Sequence, residues 1–440
     1  MVVLWICTLC AATAASSRGD DGIVKNIVNT VPWWPPANLV YEEAVGVVSH
    51  SRVYMTGMME RNYSVNASVF NASYQFGLAL LDIHDIVAAG NSSMQSLVSC
   101  LGNVPAGAAT AEVALRQRIG AACIPLTILE TKGEDPQYNS SLTCVAATNT
   151  SRGQPAHLQR FCARNDDHDG HGVVEVAAVR SGDTVWVSAS AAASAESHNR
   201  THTPRTATTN GDDNNRMWAH VQTALMNVTN NVATLLHLVD CTLFLPPSTT
   251  ATEAAAIAEA AIVASSVNKN ETTPPMALTI AFNSLGANVN IKIQCVASVG
   301  GGTKKRVVVP PARSIDNNNN NYALGITIAG GFAYVDGIGS RMANASDALE
   351  VIEHALVAVG TRMDLVLNCL FWVPNEDGVD PFFHGFHDAF NVNISGVFSP
   401  PSRTEFVGSS PASQCIGGVA GPKTCPVISK CVAAMPKLYS

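Results

Sequence analysis

The chain has 440 residues, of which 47% are hydrophobic and 14% are charged, and its formal net charge is −8 at pH 7. This length suits about three domains of ordinary size, and the hydrophobic content is sufficient for their cores. The negative charge argues against a protein that follows a phosphate backbone, so we expect no nucleic-acid partner.

The N-terminal residues form an apolar run that turns into small residues, MVVLWICTLCAATAASS. This pattern predicts a signal peptide over residues 1–16, with cleavage near Ala14–Ser16. An uncleaved anchor is the alternative, although an apolar run of about 14 residues is short for a bilayer span. We therefore expect a protein that is secreted or lies in the secretory-pathway lumen, with no membrane association after cleavage.

Sequons for N-glycosylation support this compartment, because the chain contains eleven N-x-S/T triplets. Asn227 lies inside a predicted helix, where we expect no glycan. The polar connection that contains Asn62, Asn66 and Asn71 is the best candidate for glycans. The predicted glycosylation sites are Asn62, Asn66, Asn71, Asn91, Asn139, Asn199, Asn270, Asn344 and Asn393.

The first predicted domain, residues 38–150, begins with the strand VYMTG. A helix follows, because Phe76, Leu80, Ile83 and Val87 recur at the helical period and fall on one face. The strand LVSCLGNV comes next, then a second helix and two strands, of which the last is SLTCVAA. The order of elements is therefore β-α-β-α-β-β.

The same order recurs twice, in residues 172–299 and in residues 322–436. The corresponding strands are VWVSA, LVDCTLFLP, MALTIAF and VNIKIQCVA, and then AYVDG, LVLNCLFWVP, SRTEFVG and VISKCVAA. Two low-complexity segments separate the domains, and we interpret residues 151–171 as a polar linker and residues 300–321 as an Asn-rich linker. The repeat length is that of a whole small domain.

Each repeat carries one cysteine in its middle strand and one in a closing CVAA or CVAS tetrapeptide. We favour buried free thiols that act as small hydrophobic side chains, although an even cysteine count in a secreted chain also permits disulfides. Cys415 and Cys425 flank a Gly/Pro-rich loop and are the candidate disulfide. The repeat cysteines are Cys100, Cys144, Cys241, Cys295, Cys369 and Cys431.

The element order predicts an α+β fold with a mixed sheet whose helices lie on one face. The last two strands are joined too closely for a crossover, so we expect them to form a hairpin. Each sheet then has one bare face to bury. Three repeats that pack these faces together give an intramolecular pseudo-trimer, and we expect a monomer of this form.

The third repeat carries the clearest family resemblance, through Tyr322, AYVDG, LVLNCLFWVP, PPSRTEFVG and ISKCVAA. In element order and motifs the chain resembles three tandem, divergent copies of the RidA (YjgF, L-PSP endoribonuclease-like) family, which has the chorismate-mutase-like fold. The resemblance implies trimers with ligand clefts between neighbouring units. It also implies an arginine that binds a substrate carboxylate, and a glutamate that helps to hydrolyse enamines or imines to 2-oxo acids and ammonia.

By this resemblance Arg403 falls on the family arginine and is the candidate catalytic residue. The equivalent place holds Ala277 in the second repeat and lies near Ala122 in the first. The glutamate position reads Thr143, Gln294 and Lys430, so no repeat keeps the acid. The candidate ligand-binding residues are Arg403, Lys430, Tyr322 and Tyr41.

These departures favour a secreted RidA-like glycoprotein that binds small carboxylate metabolites at an interdomain cleft, with weak or lost imine/enamine deaminase activity. One alternative is an active 2-iminobutanoate/2-iminopropanoate-type deaminase, a hydrolase, that uses Arg403. Another is a structural or interaction glycoprotein. Whether the chain is an enzyme stays open, and the expected partner is a small carboxylate or imine. We expect no cofactor and no metal site, because the Asp/His tract at residues 166–171 lies in a predicted linker.

Overall fold

The fold consists of three mixed sheets with helices packed on them, as seen in a computed structural model. Within the described residues, the helices are α1 (Ala72–Ala89), α2 (Thr209–Val228), α3 (Ala251–Ser265) and α4 (Ala345–Ala358). The structure describes residues 15–18, 24–28, 46–58, 72–105, 123–131, 141–149, 157–166, 173–192, 209–267, 275–286, 289–300, 304–309, 324–340, 345–373, 402–407 and 427–436.

The first sheet has the strand order β1-β2-β3-β4-β7-β5-β6. Helix α1 packs against β4 and β7, because its apolar face meets the buried side chains of those strands. The strands are β1 (Ala15–Arg18), β2 (Val24–Val28), β3 (Gly46–Ser49), β4 (Arg52–Met58), β5 (Leu97–Pro105), β6 (Leu126–Thr131) and β7 (Ser141–Ala147).

The second sheet has the order β12-β11-β13-β10-β9-β8 and carries α2 and α3. Helix α3 begins with a capping box, in which Thr250 and Glu253 satisfy each other's backbone N–H groups. The strands are β8 (Leu158–Asp166), β9 (Val173–Ser181), β10 (Thr184–Ala192), β11 (Leu238–Leu245), β12 (Ala277–Phe282) and β13 (Val289–Ser298).

The third sheet has the order β14-β15-β16-β20-β18-β19, with β17 also paired to β20, and α4 packs on it. The strands are β14 (Lys305–Val309), β15 (Leu324–Ala329), β16 (Phe332–Val335), β17 (Ile338–Ser340), β18 (Val366–Val373), β19 (Ser402–Val407) and β20 (Val427–Ala434).

The three sheets share one five-strand pattern: β3-β4-β7-β5-β6, β9-β10-β13-β11-β12 and β15-β16-β20-β18-β19. The α+β class and the mixed sheets agree with the sequence, but the predicted hairpin is wrong. In the first sheet, for example, the closing strand β7 lies between β4 and β5, and the strand before it, β6, pairs in parallel with β5. The other two sheets have the same arrangement. The pattern also begins with one strand more than predicted, namely β3, β9 or β15.

Both predicted linkers contribute a strand. Residues 158–166 form β8, which pairs with β9, and residues 305–309 form β14, which pairs with β15. These strands extend the sheet edges, because an edge offers unpaired backbone groups to any neighbouring segment that can adopt an extended conformation. The low-complexity interpretation therefore fails for these residues.

The repeat cysteines form disulfides, so the favoured free-thiol interpretation is wrong. Cross-strand pairs join Cys100 to Cys144, Cys241 to Cys295, and Cys369 to Cys431, with Cα–Cα distances of 4.2, 4.1 and 4.2 Å. Each pair lies directly opposite in the antiparallel ladder, where side chains come close enough to bond. A fourth disulfide joins Cys123 to Cys162 and ties β8 to the first unit.

Every sheet has two buried faces. One face, which holds the cross-strand disulfides, packs on the helices of its own unit. The opposite faces meet one another in two apolar clusters that draw residues from all three sheets. The contacts run in a cycle, because β5 packs on β9 and β10, β11 on β15, and β18 on β3 and β4. In the described part of the chain, no helix has the length and apolar character needed to cross a membrane.

Candidate functional site

A cavity of about 90 Å³ lies where the three sheets meet. Its walls come from the same strands of each unit, because the cysteines face the helices and their neighbours along each strand face the opposite side. The lining residues are Arg52, Tyr54, Ser99, Leu101, Thr143 and Val145 from the first unit, Trp186, Asp240, Thr242, Gln294 and Val296 from the second, and Tyr334, Asn368, Leu370, Lys430 and Val432 from the third.

A register shift at the same place in each sheet sets the polar positions of this lining. The shift falls between Leu97 and Ser99 in the first sheet, and between Leu238 and Asp240 in the second. Such a bulge places an extra residue on one strand and redirects the side chains that follow. As a result, Ser99 and Asp240, each next to a disulfide cysteine, line the cavity, as does the equivalent Asn368.

Arg52 forms one part of the cavity wall, and the residue is only 8% exposed. Arg52, Thr184 and Phe332 occupy the same register position in their three sheets, opposite Ala147, Ser298 and Ala434. These three side chains converge. The Arg52 guanidinium carbon lies 3.9 Å from the centre of the Phe332 ring, and its Nη2 donates to Thr184 Oγ1.

Aromatic hydroxyls complete the surroundings of Arg52. Its Nη1 lies 3.4 Å from the hydroxyl of Tyr54 and 3.4 Å from that of Tyr334, and its guanidinium carbon lies 5.1 Å from the Trp186 ring centre. Burial raises the pKa of Tyr334 to about 12, so this phenol is neutral at physiological pH. Among the described residues, no carboxylate forms an ion pair with Arg52. Arg52 is thus a buried cation held by π faces and neutral hydroxyls.

A buried ion pair forms another part of the wall. Lys430 Nζ lies 2.7 Å from Asp240 Oδ2 and donates to Thr242 Oγ1 over 2.7 Å, and the two charged side chains are 6% and 7% exposed. Burial raises the pKa of Asp240, although the ammonium of Lys430 opposes that rise. The second carboxylate oxygen, Asp240 Oδ1, is buried without a hydrogen-bond partner among the described residues.

The three positions predicted from the family glutamate all line the cavity, but they do different things. Lys430 reaches from the third unit into the second, as described above. Gln294 reaches from the second unit into the first, where its Nε2 donates to Ser99 Oγ over 2.7 Å. Thr143 donates to the carbonyl of Met55 in its own unit over 3.0 Å. No carboxylate stands at any of the three positions.

Asp336 holds the second and third units together away from the cavity. Asp336 lies between β16 and β17, outside both strands. Its carboxylate accepts hydrogen bonds from the backbone N–H of Leu278 at 3.0 Å and of Gly325 at 2.9 Å. The guanidinium of Arg306 binds it at 2.5 Å. Burial raises the pKa of Asp336, whereas Arg306 lowers it. Gly325 and Arg306 belong to the third unit, so the hydrogen bond from Leu278 is the contact that this carboxylate makes with the second unit.

Arg403 lies on β19, directly opposite Cys369 in the parallel ladder, and its side chain is outside the described set. The same register position holds Leu278 opposite Cys241, and Leu126 opposite Cys100. The sequence comparison that placed Ala277 and Ala122 there was therefore wrong in register. Leu126 and Leu278 both pack in the helix-facing cores.

Other predicted residues fall outside the described part of the chain. These are Tyr41, Tyr322, Cys415 and Cys425. Of the predicted glycosylation sites, Asn91 is described, and it is exposed at the C-terminal end of α1 with a left-handed φ of 54°. Sequence reasoning missed Arg52 and Asp240. The available signal was their spacing, since Arg52 precedes Tyr54 by two residues and Asp240 precedes a repeat cysteine by one.

No protein-family model matches the chain, and no curated protein does. Solved structures of the RidA/YjgF family are similar to about 30% of it. One is a protein of unknown function of the Rid family from Yersinia pestis, 16% identical, covering 30% of this chain and 100% of that one with a TM-score of 0.21. Another is a YjgF-family member from Mycobacterium tuberculosis, 17% identical over 30% and 100%, with a TM-score of 0.20.

A third is a YjgF-family protein from Neisseria meningitidis, 14% identical, covering 30% of this chain and 95% of that one, with a TM-score of 0.20. Each of these likenesses covers about 30% of this chain. Their scores are too low to assign a function. Function therefore has to come from the residues of the cavity.

Proposed function

We propose that this protein binds a small carboxylate in the cavity between its three sheets, with Arg52 as the cation that holds it. In this proposal the three units form an intramolecular pseudo-trimer around the cavity. Two features support that arrangement: the cyclic contacts between the sheets, and a lining that takes equivalent positions from each unit. A closed ring also buries the face of every sheet that its own helices leave uncovered.

The charge of the lining carries the proposal. Lys430 and Asp240 neutralise each other at 2.7 Å, so Arg52 leaves the described lining with one net positive charge. A buried charge without an opposite charge is unfavourable, and a bound carboxylate would neutralise it through paired N–H···O hydrogen bonds. The small volume restricts the ligand to a few non-hydrogen atoms. A monocarboxylate of two to four carbons fits both requirements.

Binding is favoured over hydrolysis because the wall lacks a group suited to activate water at the positions the family resemblance indicates. Thr143, Gln294 and Lys430 occupy these positions, and a lysine that is paired with Asp240 is a poor general base. The register position of Arg403 is filled by helix-facing leucines in the other two sheets. These observations support a binding protein with weak or lost deaminase activity.

The disulfides support the proposed location in the secretory pathway or outside the cell. Four disulfides occur among the described residues, and such bonds persist in oxidising compartments. Within this proposal the protein is a secreted glycoprotein, and Asn91 is an accessible glycan acceptor. Mass spectrometry of the secreted chain before and after glycosidase treatment tests this point. An unmodified Asn91 on the secreted chain would remove that site.

Calorimetry with acetate and acetamide tests the binding proposal, because the two molecules have the same shape and differ in charge. We expect acetate to bind and acetamide not to bind. The Arg52→Met variant should weaken acetate binding at least tenfold, since a hydrogen bond to a charged group contributes about 1.5–3 kcal/mol. Arg164→Met is the matched control, because Arg164 is exposed on β8 and should leave the affinity unchanged.

Two outcomes contradict the proposal. One is equal binding of acetate and acetamide, which would show that the charge of the cavity plays no part. The other is an Arg52→Met protein that folds as wild type and binds acetate with unchanged affinity. Circular dichroism and thermal melting of both variants establish whether each is folded before affinities are compared.

A further inference from the structure

The geometry of Asp240 points to a second requirement on the ligand: the cavity selects small carboxylates that also carry a hydroxyl or amino hydrogen-bond donor, and Asp240 accepts that donor. This inference rests on the proposed function, because it concerns the same cavity. It adds a specificity-determining residue, contributed by the second unit, to the cation contributed by the first.

The argument begins with the two oxygens of the Asp240 carboxylate. Lys430 holds Oδ2 at 2.7 Å, whereas Oδ1 has no hydrogen-bond partner among the described residues. Asp240 is 5% exposed and lines the cavity. An anionic oxygen in such a place retains its capacity to accept, and leaving it unpaired is unfavourable. A ligand that donates an O–H or N–H to Oδ1 removes this penalty.

Lys430 makes this arrangement compatible with an anionic ligand. An isolated carboxylate in the wall would repel the carboxylate of the ligand, but the ammonium of Lys430 cancels its charge at short range. Thr242 fixes the ammonium through its hydroxyl at 2.7 Å, so the lysine is held against Asp240. The pair therefore acts as a neutral wall with one free acceptor.

The position of Asp240 is fixed by the backbone. It follows the register shift in β11 and pairs with Val296 of β13 and with Ala277 of β12. Strands on both sides therefore hold its backbone, and the lysine holds its side chain. A polar group held in this way discriminates strongly between ligands with and without a hydrogen-bond donor. A ligand without the donor leaves Oδ1 unpaired, and the fixed side chain cannot move to find another partner.

Lactate and pyruvate form the decisive pair of probes, because they share a carbon skeleton and differ in a donor or an acceptor at the second carbon. We expect the wild-type protein to bind lactate at least tenfold more tightly than pyruvate in calorimetric titrations. Alanine distinguishes an amino donor from a hydroxyl donor on the same skeleton. Propanoate, with neither group, should bind less tightly than lactate.

The Asp240→Asn variant tests the residue itself. Its amide oxygen can accept from Lys430, which leaves the amide N–H₂ where Oδ1 stood, so the preference should shift from lactate to pyruvate. Asp85→Asn is the matched control, because Asp85 is exposed on α1 and does not line the cavity. The ratio of lactate to pyruvate affinity is the readout, since a merely structural role of Asp240 would change both affinities together.

The wild-type comparison stands even where the Asp240→Asn variant fails to fold. Equal affinities for lactate, pyruvate and propanoate in the wild-type protein would overturn this inference and leave carboxylate binding in place. An unchanged lactate-to-pyruvate ratio in a folded Asp240→Asn protein would also overturn it. If no carboxylate binds at all, the proposed function and this inference both fail.

Discussion

Replacing Lys430 by methionine tests the interface between the second and third units. Methionine keeps most of the volume of lysine and removes its charge. The Lys430 ammonium lies 2.7 Å from Asp240 Oδ2, and both side chains are nearly inaccessible to solvent. The substitution therefore leaves a buried carboxylate without its counter-charge while it changes the packing little.

The expected loss of stability follows from that geometry. Removing one partner of a buried ion pair destabilises a protein by about 3–5 kcal/mol. Asp240 limits this loss by taking up a proton, because burial already raises its pKa even in the presence of Lys430. For a cooperative unit of 440 residues, we expect the melting temperature to fall by about 3–5 °C near neutral pH, because the unfolding entropy is about 2.1 cal/mol/K per residue.

The pH dependence of the variant has a definite sign. Without Lys430, the pKa of Asp240 in the folded state lies further above its value in the unfolded chain. The protonated carboxyl is then favoured by folding, so its contribution is present below the unfolded pKa and is lost as pH rises through the folded pKa. The stability of Lys430→Met, relative to wild type, should therefore decrease from pH 5 to pH 8.

Thermal melting followed by circular dichroism measures these effects in three variants. Lys305→Met, at an exposed lysine on β14, is the control for loss of a positive charge. The double variant Lys430→Met with Asp240→Leu removes both charges and should be more stable than Lys430→Met alone. A Lys430→Met protein as stable as wild type from pH 5 to pH 8 would refute the reasoning, as would a double variant less stable than Lys430→Met alone.

Three further predictions concern other parts of the fold. Gly325→Ala should lower the melting temperature, because its methyl group would collide with the Arg306 guanidinium and with the carboxylate of Asp336. An unchanged temperature would show that the contact between these two side chains is dispensable. Spectrophotometric titration should find that Tyr334 ionises near pH 12; because its folded pKa is raised, stability should be full below about pH 10 and fall as pH rises toward 12. Replacing Cys369 and Cys431 together by alanine should destabilise the chain by about 4 kcal/mol in denaturant unfolding, because the disulfide closes a loop with a sequence separation of 62 in the unfolded chain. An unchanged unfolding midpoint would show that this disulfide does not stabilise the fold.

The sequence predicted the class of fold but not the path of the chain through each sheet. Apolar periodicity located the helix that carries Leu80 and Ile83 and the strands around each cysteine, because both patterns are local. It did not reveal that β7 inserts between β4 and β5, since strand order depends on pairings between distant segments. The cysteine prediction failed for the same reason: Cys100 and Cys144 bond only because that order sets them side by side.

The candidate site shows the same division. Side chains alternate along a strand, so the residues next to each cysteine face away from the helices once the cysteine faces them. The structure determined which of them meet, and it brought Arg52 beside Tyr334, 282 positions away, and Lys430 beside Asp240. Local patterns fix the face on which a side chain lies, because backbone geometry repeats every two or 3.6 residues. Contacts between faces depend on how three sheets pack and on a one-residue shift in register, and no local pattern records either.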